Sequence, residues 1–223
     1  MSNPLNRSEI KWGSIYAVIQ YFLLGEIALL LNYLLQLPAW VLQVGIFALN
    51  FLFTILIFRK FLLSSAKAAL RHPFKVLGFS LLGLLIYYIS SFLVSIVILV
   101  VCPDYGNLND AAISEMSRQS GIWMLVSTVL FVPAAEEAVF RGLLFRGIYD
   151  RSPFAAWTLS VALFSAVHIV GYIGLYDPLR LLLAFIQYLP AGLCLAFAYK
   201  ETDTIIAPIL MHTCVNLIGM SLQ

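Results

Sequence analysis

Charge is scarce in this sequence. Only 11% of its 223 residues are Asp, Glu, Lys or Arg, against roughly 25% in soluble domains, while 62% are hydrophobic and the mean hydropathy is +0.95. That balance excludes an ordinary globular protein. A net charge of only +2 argues against a broad basic surface, so no nucleic-acid partner is expected. Cysteine is rare too. Cys102, Cys194 and Cys214 lie in or beside apolar segments without CxxC spacing, which points to neither a disulfide framework nor a thiolate metal site. No internal repeat, low-complexity tract or linker is visible, so a single integral membrane domain over residues 1–223 is expected, and a transporter of inverted halves gains little support.

What is abundant is apolar sequence in runs long enough to cross a ~30 Å hydrocarbon core. The runs are Gly13 to Leu35, Pro38 to Phe58, Phe74 to Val101, Gly121 to Phe140, Phe154 to Leu175, Leu179 to Tyr199 and Thr204 to Leu222. The first follows Arg7 and Lys11 but exceeds a ~7–15 residue signal core and ends on no small-x-small site. It therefore reads as a retained span, with the mature chain starting near Met1. The stretch from Arg59 to Lys75 carries Arg59, Lys60, Lys67, Arg71 and Lys75 with no acid, whereas Pro103 to Ser120 carries Asp104, Asp110 and Glu115 against Arg118. Basic connections stay cytoplasmic, which places the first stretch and the N-terminus inside. Arg146, Arg151 and Lys200 then also fall inside, leaving Arg118 and Arg180 outside. The expected fold is all-α, a polytopic transmembrane bundle of about seven spans. Tyr87, Tyr88, Tyr172 and Tyr176 read as interface anchors.

An ionised side chain at mid-bilayer costs at least ~2.5–3.5 kcal/mol, which makes each one in a span a functional candidate. Here they cluster. Phe131 to Arg141 holds Glu136, Glu137 and Arg141; the fifth run holds Phe164 and His168; the seventh holds His212 and Asn216. At about 1.5 Å per residue, Glu136 lies ~22 Å from the cytoplasmic face, His168 ~21 Å and His212 ~12 Å, so tilt can bring three helices' polar groups to one level. Glu26 sits near that level and is expected to pair within the bundle. Residues four apart share a helix face, so Glu137 can pair with Arg141, while Glu136, about 100° round, faces elsewhere. Pro133 is expected to disturb the helix and free carbonyls one turn before the pair.

A glutamate and a histidine in a wet pocket can take a proton from water and aim it at a carbonyl. A second histidine and an asparagine on one face can donate to the oxyanion that forms. These parts suit peptide hydrolysis. Other protease patterns are missing: there is no HExxH, no GxGD and no pair of intramembrane aspartates, and Ser80 in Gly78-Phe79-Ser80-Leu81 mismatches both histidines in depth.

The ordered set EExxxR, FxxxH and HxxxN, here Glu136-Glu137 with Arg141, Phe164 with His168, and His212 with Asn216, resembles the CPBP family of intramembrane proteases. That family includes the type II CAAX prenyl endopeptidases and bacterial relatives associated with bacteriocin immunity. The resemblance covers Pro133 to Asn216, within a motif-bearing core of about 121–222. It implies Glu136 as general base, His168 as its partner in positioning water, and His212 with Asn216 as oxyanion donors. Glu137, Arg141 and Phe164 would support them. No cofactor is firmly implied; zinc on Glu136, His168 and His212 is the alternative, since two histidines and a carboxylate can hold it with an open position. The substrate expected is a membrane-embedded or membrane-delivered peptide, and the location a bacterial plasma membrane. Rival readings are a non-catalytic immunity or partner-binding protein and a proton or cation pathway.

Overall fold

The computed structural model describes residues 5–221; the expected start near Met1 and the end of the seventh run at Leu222 lie outside the described residues. The described residues form nine helices and no strands: α1 (Arg7–Leu35), α2 (Ala39–Ile57), α3 (Arg59–Arg71), α4 (Pro73–Val101), α5 (Leu108–Ser120), α6 (Ile122–Tyr149), α7 (Pro153–Val167), α8 (Pro178–Thr202) and α9 (Ile206–Ser221). A 3₁₀ turn, Val170–Tyr172, follows α7. Five of the helices, α1, α2, α4, α6 and α8, are long and apolar enough to cross a membrane, while α7 and α9 are apolar but shorter. The run read as Phe154 to Leu175 is thus only partly helical. Its helix ends at Val167, and Gly174 takes a left-handed φ of 84° in the turn beyond.

Both polar connections turn out to be helical. In α3, Phe61, Ser65 and Ala69 recur every four residues and are buried, while Arg59, Lys60, Lys67 and Arg71 stay exposed. Its stripe of burial on one side and charge on the other suits a helix lying along the bundle's end. Glu9 anchors it. One carboxylate oxygen accepts from the Phe61 N–H at 2.8 Å, and the other closes a capping box with Asn6 at 3.0 Å, so one buried acid satisfies the free amides of two helix starts. At the opposite end, Asn107 caps α5 and Gly121, at φ 57°, ends it.

The centre of the bundle is α6 and α8. Half of the most apolar window of each is buried, against 6% in α1 and in α4, so the first and third spans are walls. α8 packs on α4 and α7, and α9 is fitted between α4 and α6. Hydrogen bonds fix α9's start: the Thr204 hydroxyl donates to Ser65 O at 2.8 Å, and the Ser80 hydroxyl donates to Ala207 O at 3.0 Å. Near α3 the interior is filled by Phe58, Phe61, Phe145, Tyr199 and Ile205, each at most 1% exposed. Gly142 permits this fit, because a Cβ there would stand 2.8 Å from the Phe61 ring. Above lies a second cluster around Phe140, Phe164, Leu195 and Met211.

Candidate active site

Pro133 sets the local geometry. It has no N–H to give, and α6 makes a π turn over Ser127–Phe131 just before it, with the Val132 N–H bonding back to Ser127 O. The carbonyls of Thr128 and Val129, whose helical donor would be residue 133, are left open. Side chains of α9 fill them. Asn216 Nδ2 donates to Thr128 O at 2.8 Å, and the Thr213 hydroxyl donates to Val129 O at 3.1 Å. The expected freeing of carbonyls occurs, but the helix continues through it. One hydrogen of the Asn216 amide is therefore engaged in joining helices.

Three turns carry the charged chain. Arg141, fully buried, donates through one guanidinium nitrogen to Glu137 Oε1 at 3.0 Å and through another to Gly192 O at 2.9 Å. The same Glu137 oxygen lies 2.9 Å from His212 Nδ1. Glu137 Oε1 already accepts from Arg141, so His212 Nδ1 is assigned as a second donor to it, and the tautomer follows from its partner. Glu137 and Arg141 thus pair as their spacing predicts, and they also orient His212. Gly192 owes its place to close packing. A Cβ would meet Val161 at 3.1 Å, so glycine lets α8 approach α7 and aim its carbonyl at Arg141.

His212 turns its other nitrogen toward Glu136, with Nε2 4.0 Å from Glu136 Oε2. That is beyond a hydrogen bond. Glu136 Oε2 is buried with no partner, which leaves a gap between a carboxylate and an imidazole that a water or a reacting group can bridge. His168 ends α7, and its Nδ1 lies 2.8 Å from Phe164 O. A carbonyl only accepts, so Nδ1 carries the hydrogen and the neutral ring's Nε2 is an acceptor. Phe164, 1% exposed, is the common wall: its ring centre lies 4.8 Å from that of His168 and 5.9 Å from that of His212, under the Arg141 guanidinium at 4.6 Å.

Glu136, His168, His212, Asn216 and Phe164 line one cavity of about 370 Å³, and Glu137 and Arg141 stand behind it. Glu26 does not join them; it is exposed on α1, contrary to the expected pairing within the bundle. Tyr87 and Tyr88 are not interface anchors either. They sit midway along α4 and face the cavity. Among the described residues, no group of three or more His, Cys, Asp or Glu side chains is placed to hold a metal ion.

Motifs did not reveal several lining residues. Tyr188 stacks on His168 with ring centres 4.1 Å apart, and its hydroxyl reaches Asn107 Oδ1 at 3.2 Å and Asp110 Oδ1 at 3.4 Å. Tyr105 and Asn107 both donate to Gln187 Oε1 at 2.8 Å. Gln187, a polar residue inside an apolar run, was the available signal. Asp110 is solvent-exposed at the cavity mouth, with protein packed around part of its carboxyl. The resulting loss of water pushes its carboxyl up from the usual range, against the Tyr188 hydrogen bond and the field of His168.

Residues 118–218 match the model of a family described as type II CAAX prenyl endopeptidase Rce1-like. No curated protein and no solved structure matches the chain.

Proposed function

We propose, from the match of residues 118–218 to the Rce1-like family of type II CAAX prenyl endopeptidases, that Glu136 activates a water to cut a peptide bond inside the membrane. On this reading the chain is an integral-membrane protease of the CAAX type, supported by the family match and the five apolar helices. The observation that carries it is the 4.0 Å gap between Glu136 Oε2 and His212 Nε2 on the cavity wall. A water in that gap gives a proton to Glu136 as its oxygen attacks the carbonyl carbon. His168 Nε2, an acceptor, helps hold that water on the other side.

The tetrahedral intermediate needs hydrogen-bond donors for its oxyanion. His212 supplies one only when each ring nitrogen carries a proton, and the Glu137 carboxyl on Nδ1 is placed to balance that cation. The remaining hydrogen of the Asn216 amide is a second donor. When the C–N bond breaks, Glu136 passes its proton to the leaving amine, and both charges are returned to their starting state. No step routes through a metal.

Cleavage of a candidate membrane peptide by purified protein tests the scheme. Glu136→Gln is expected to lower turnover at least ~10²-fold, the usual worth of a positioned base; equal turnover removes Glu136 from the role. Full activity after chelation is expected, and an activity lost to chelator and restored by zinc overturns the metal-free scheme.

A further inference from the structure

The cavity belongs to one half of the molecule. Its wall takes Gln43 from the first half of α2, Ser91 from the later half of α4, Asn107 and Asp110 from α5, Tyr188 from the first half of α8 and Asn216 from the last half of α9. All of these lie toward the end that carries α5. The other end is shut: between the site and α3 stand Phe58, Phe61, Phe145, Tyr199 and Ile205, none more than 1% exposed.

The two ends differ in charge. The closed end carries Arg59, Lys60, Lys67, Arg71 and Lys75, the open end Asp104, Asp110, Glu115 and Asp177. Basic residues mark the cytoplasmic side of a membrane protein, so the opening faces away from the cytoplasm. Most acids at the mouth are already neutralised. Asp104 and Asp177 pair with Arg180, and Glu115 pairs with Arg118. Asp110 has only the Tyr188 hydroxyl and no cationic partner among the described residues. Deeper in, Tyr21 Oη and Thr128 Oγ1 are buried in the cavity wall without hydrogen-bond partners. Unpaired polar atoms in an apolar pocket are costly unless a ligand's polar groups reach them. A peptide backbone supplies such groups.

We infer that the site is loaded from the non-cytoplasmic face, and that it takes an extended, mainly apolar peptide segment carrying a basic side chain that rests against Asp110. The cleavage of that segment rests on the proteolytic reading above; its route and its binding do not. A polypeptide tail presented in the cytoplasm would meet the closed end.

Two measurements test this without relying on turnover. In a protein whose Cys102, Cys194 and Cys214 are replaced by alanine, Asn109→Cys at the mouth and Lys67→Cys on α3 are exposed in intact cells to a membrane-impermeant maleimide. Asn109→Cys is expected to react at once and Lys67→Cys only after permeabilisation; the reverse pattern overturns the route. In the second, the Glu136→Gln protein, which binds without cutting, is titrated with a fluorescent apolar decapeptide bearing one lysine and with its glutamate counterpart. The lysine peptide is expected to bind about five- to tenfold more tightly, and adding Asp110→Lys is expected to invert the order. An unchanged preference removes Asp110 as the recognition group. Absence of cleavage by the parent protein would count against the proteolytic reading alone.

Discussion

Two adjacent acids do opposite things here. Glu137 is wholly buried with one oxygen held by both Arg141 and His212, whereas Glu136 lines the cavity and its Oε2 has no hydrogen bond. Removing one partner of a buried ion pair leaves the other uncompensated, at about 3–5 kcal/mol. Glu137→Ala is therefore expected to lower the unfolding midpoint in detergent sharply, because Arg141 loses its counter-charge. Glu136→Gln is expected to leave that midpoint nearly unchanged while abolishing turnover. Thermal unfolding and peptide cleavage on the same two preparations separate the roles. The i,i+4 spacing showed the Glu137–Arg141 pair in the sequence. The third member was hidden: that His212 completes the chain depends on how α9 sits against α6, a long-range fact that no local pattern records.

At the scale of the helix, Pro133 and Asn216 are two halves of one device. Proline removes the donor, and the asparagine amide replaces it from α9. Asn216→Ala leaves Thr128 O unsatisfied, at about 1–3 kcal/mol. In a Pro133→Ala background residue 133 regains its N–H, and the same substitution is expected to cost measurably less. A double-mutant cycle of unfolding free energies gives this coupling directly, and strict additivity would separate the two residues. Gly192→Ala tests the neighbouring contact. Its methyl would stand 3.1 Å from Val161, so α7 and α8 must part, with an expected loss of ~1–3 kcal/mol and reduced cleavage. Most helix positions were legible from apolar runs and flanking charge, as the limits of α2 and α4 show. The ends were not: α7 stops at Val167 where hydrophobicity continues to Leu175, because chain direction there is set by a turn at Gly174, not by polarity. Tyr87 and Tyr88 misled for a related reason. An aromatic in a span reads the same whether it faces headgroups or a cavity, and only packing tells them apart.

For the whole molecule, sidedness has a pH signature. The Asp110 carboxyl is held above its usual range by loss of water. The folded state therefore keeps that proton to a higher pH than the unfolded chain, and Asp110's contribution to stability falls as pH rises from about 3.8 through the raised value. Binding of a cationic peptide has the opposite sign, since it needs the ionised form. Affinity for the lysine peptide is expected to climb across that raised range, and Asp110→Asn is expected to flatten the climb; fluorescence titration over pH checks both. The same view of the molecule gives the π turns of α6 a further meaning. This helix runs from the open mouth to the sealed floor, and each of its π turns holds a surplus residue relative to α-helical winding. One residue of an α-helix is about 100° of rotation. Because the π turn absorbs that surplus, deleting a single residue from Ser127–Phe131 would close it to an ordinary α turn and keep Glu136 and Glu137 in phase, whereas a deletion within the regularly wound Val132–Glu137 would turn the helix below it by about that angle. α6 works like a keyed shaft between two gears, and the residue count of its regularly wound stretch is a phase setting for the bundle that tolerates changes of side chain far better than changes of length.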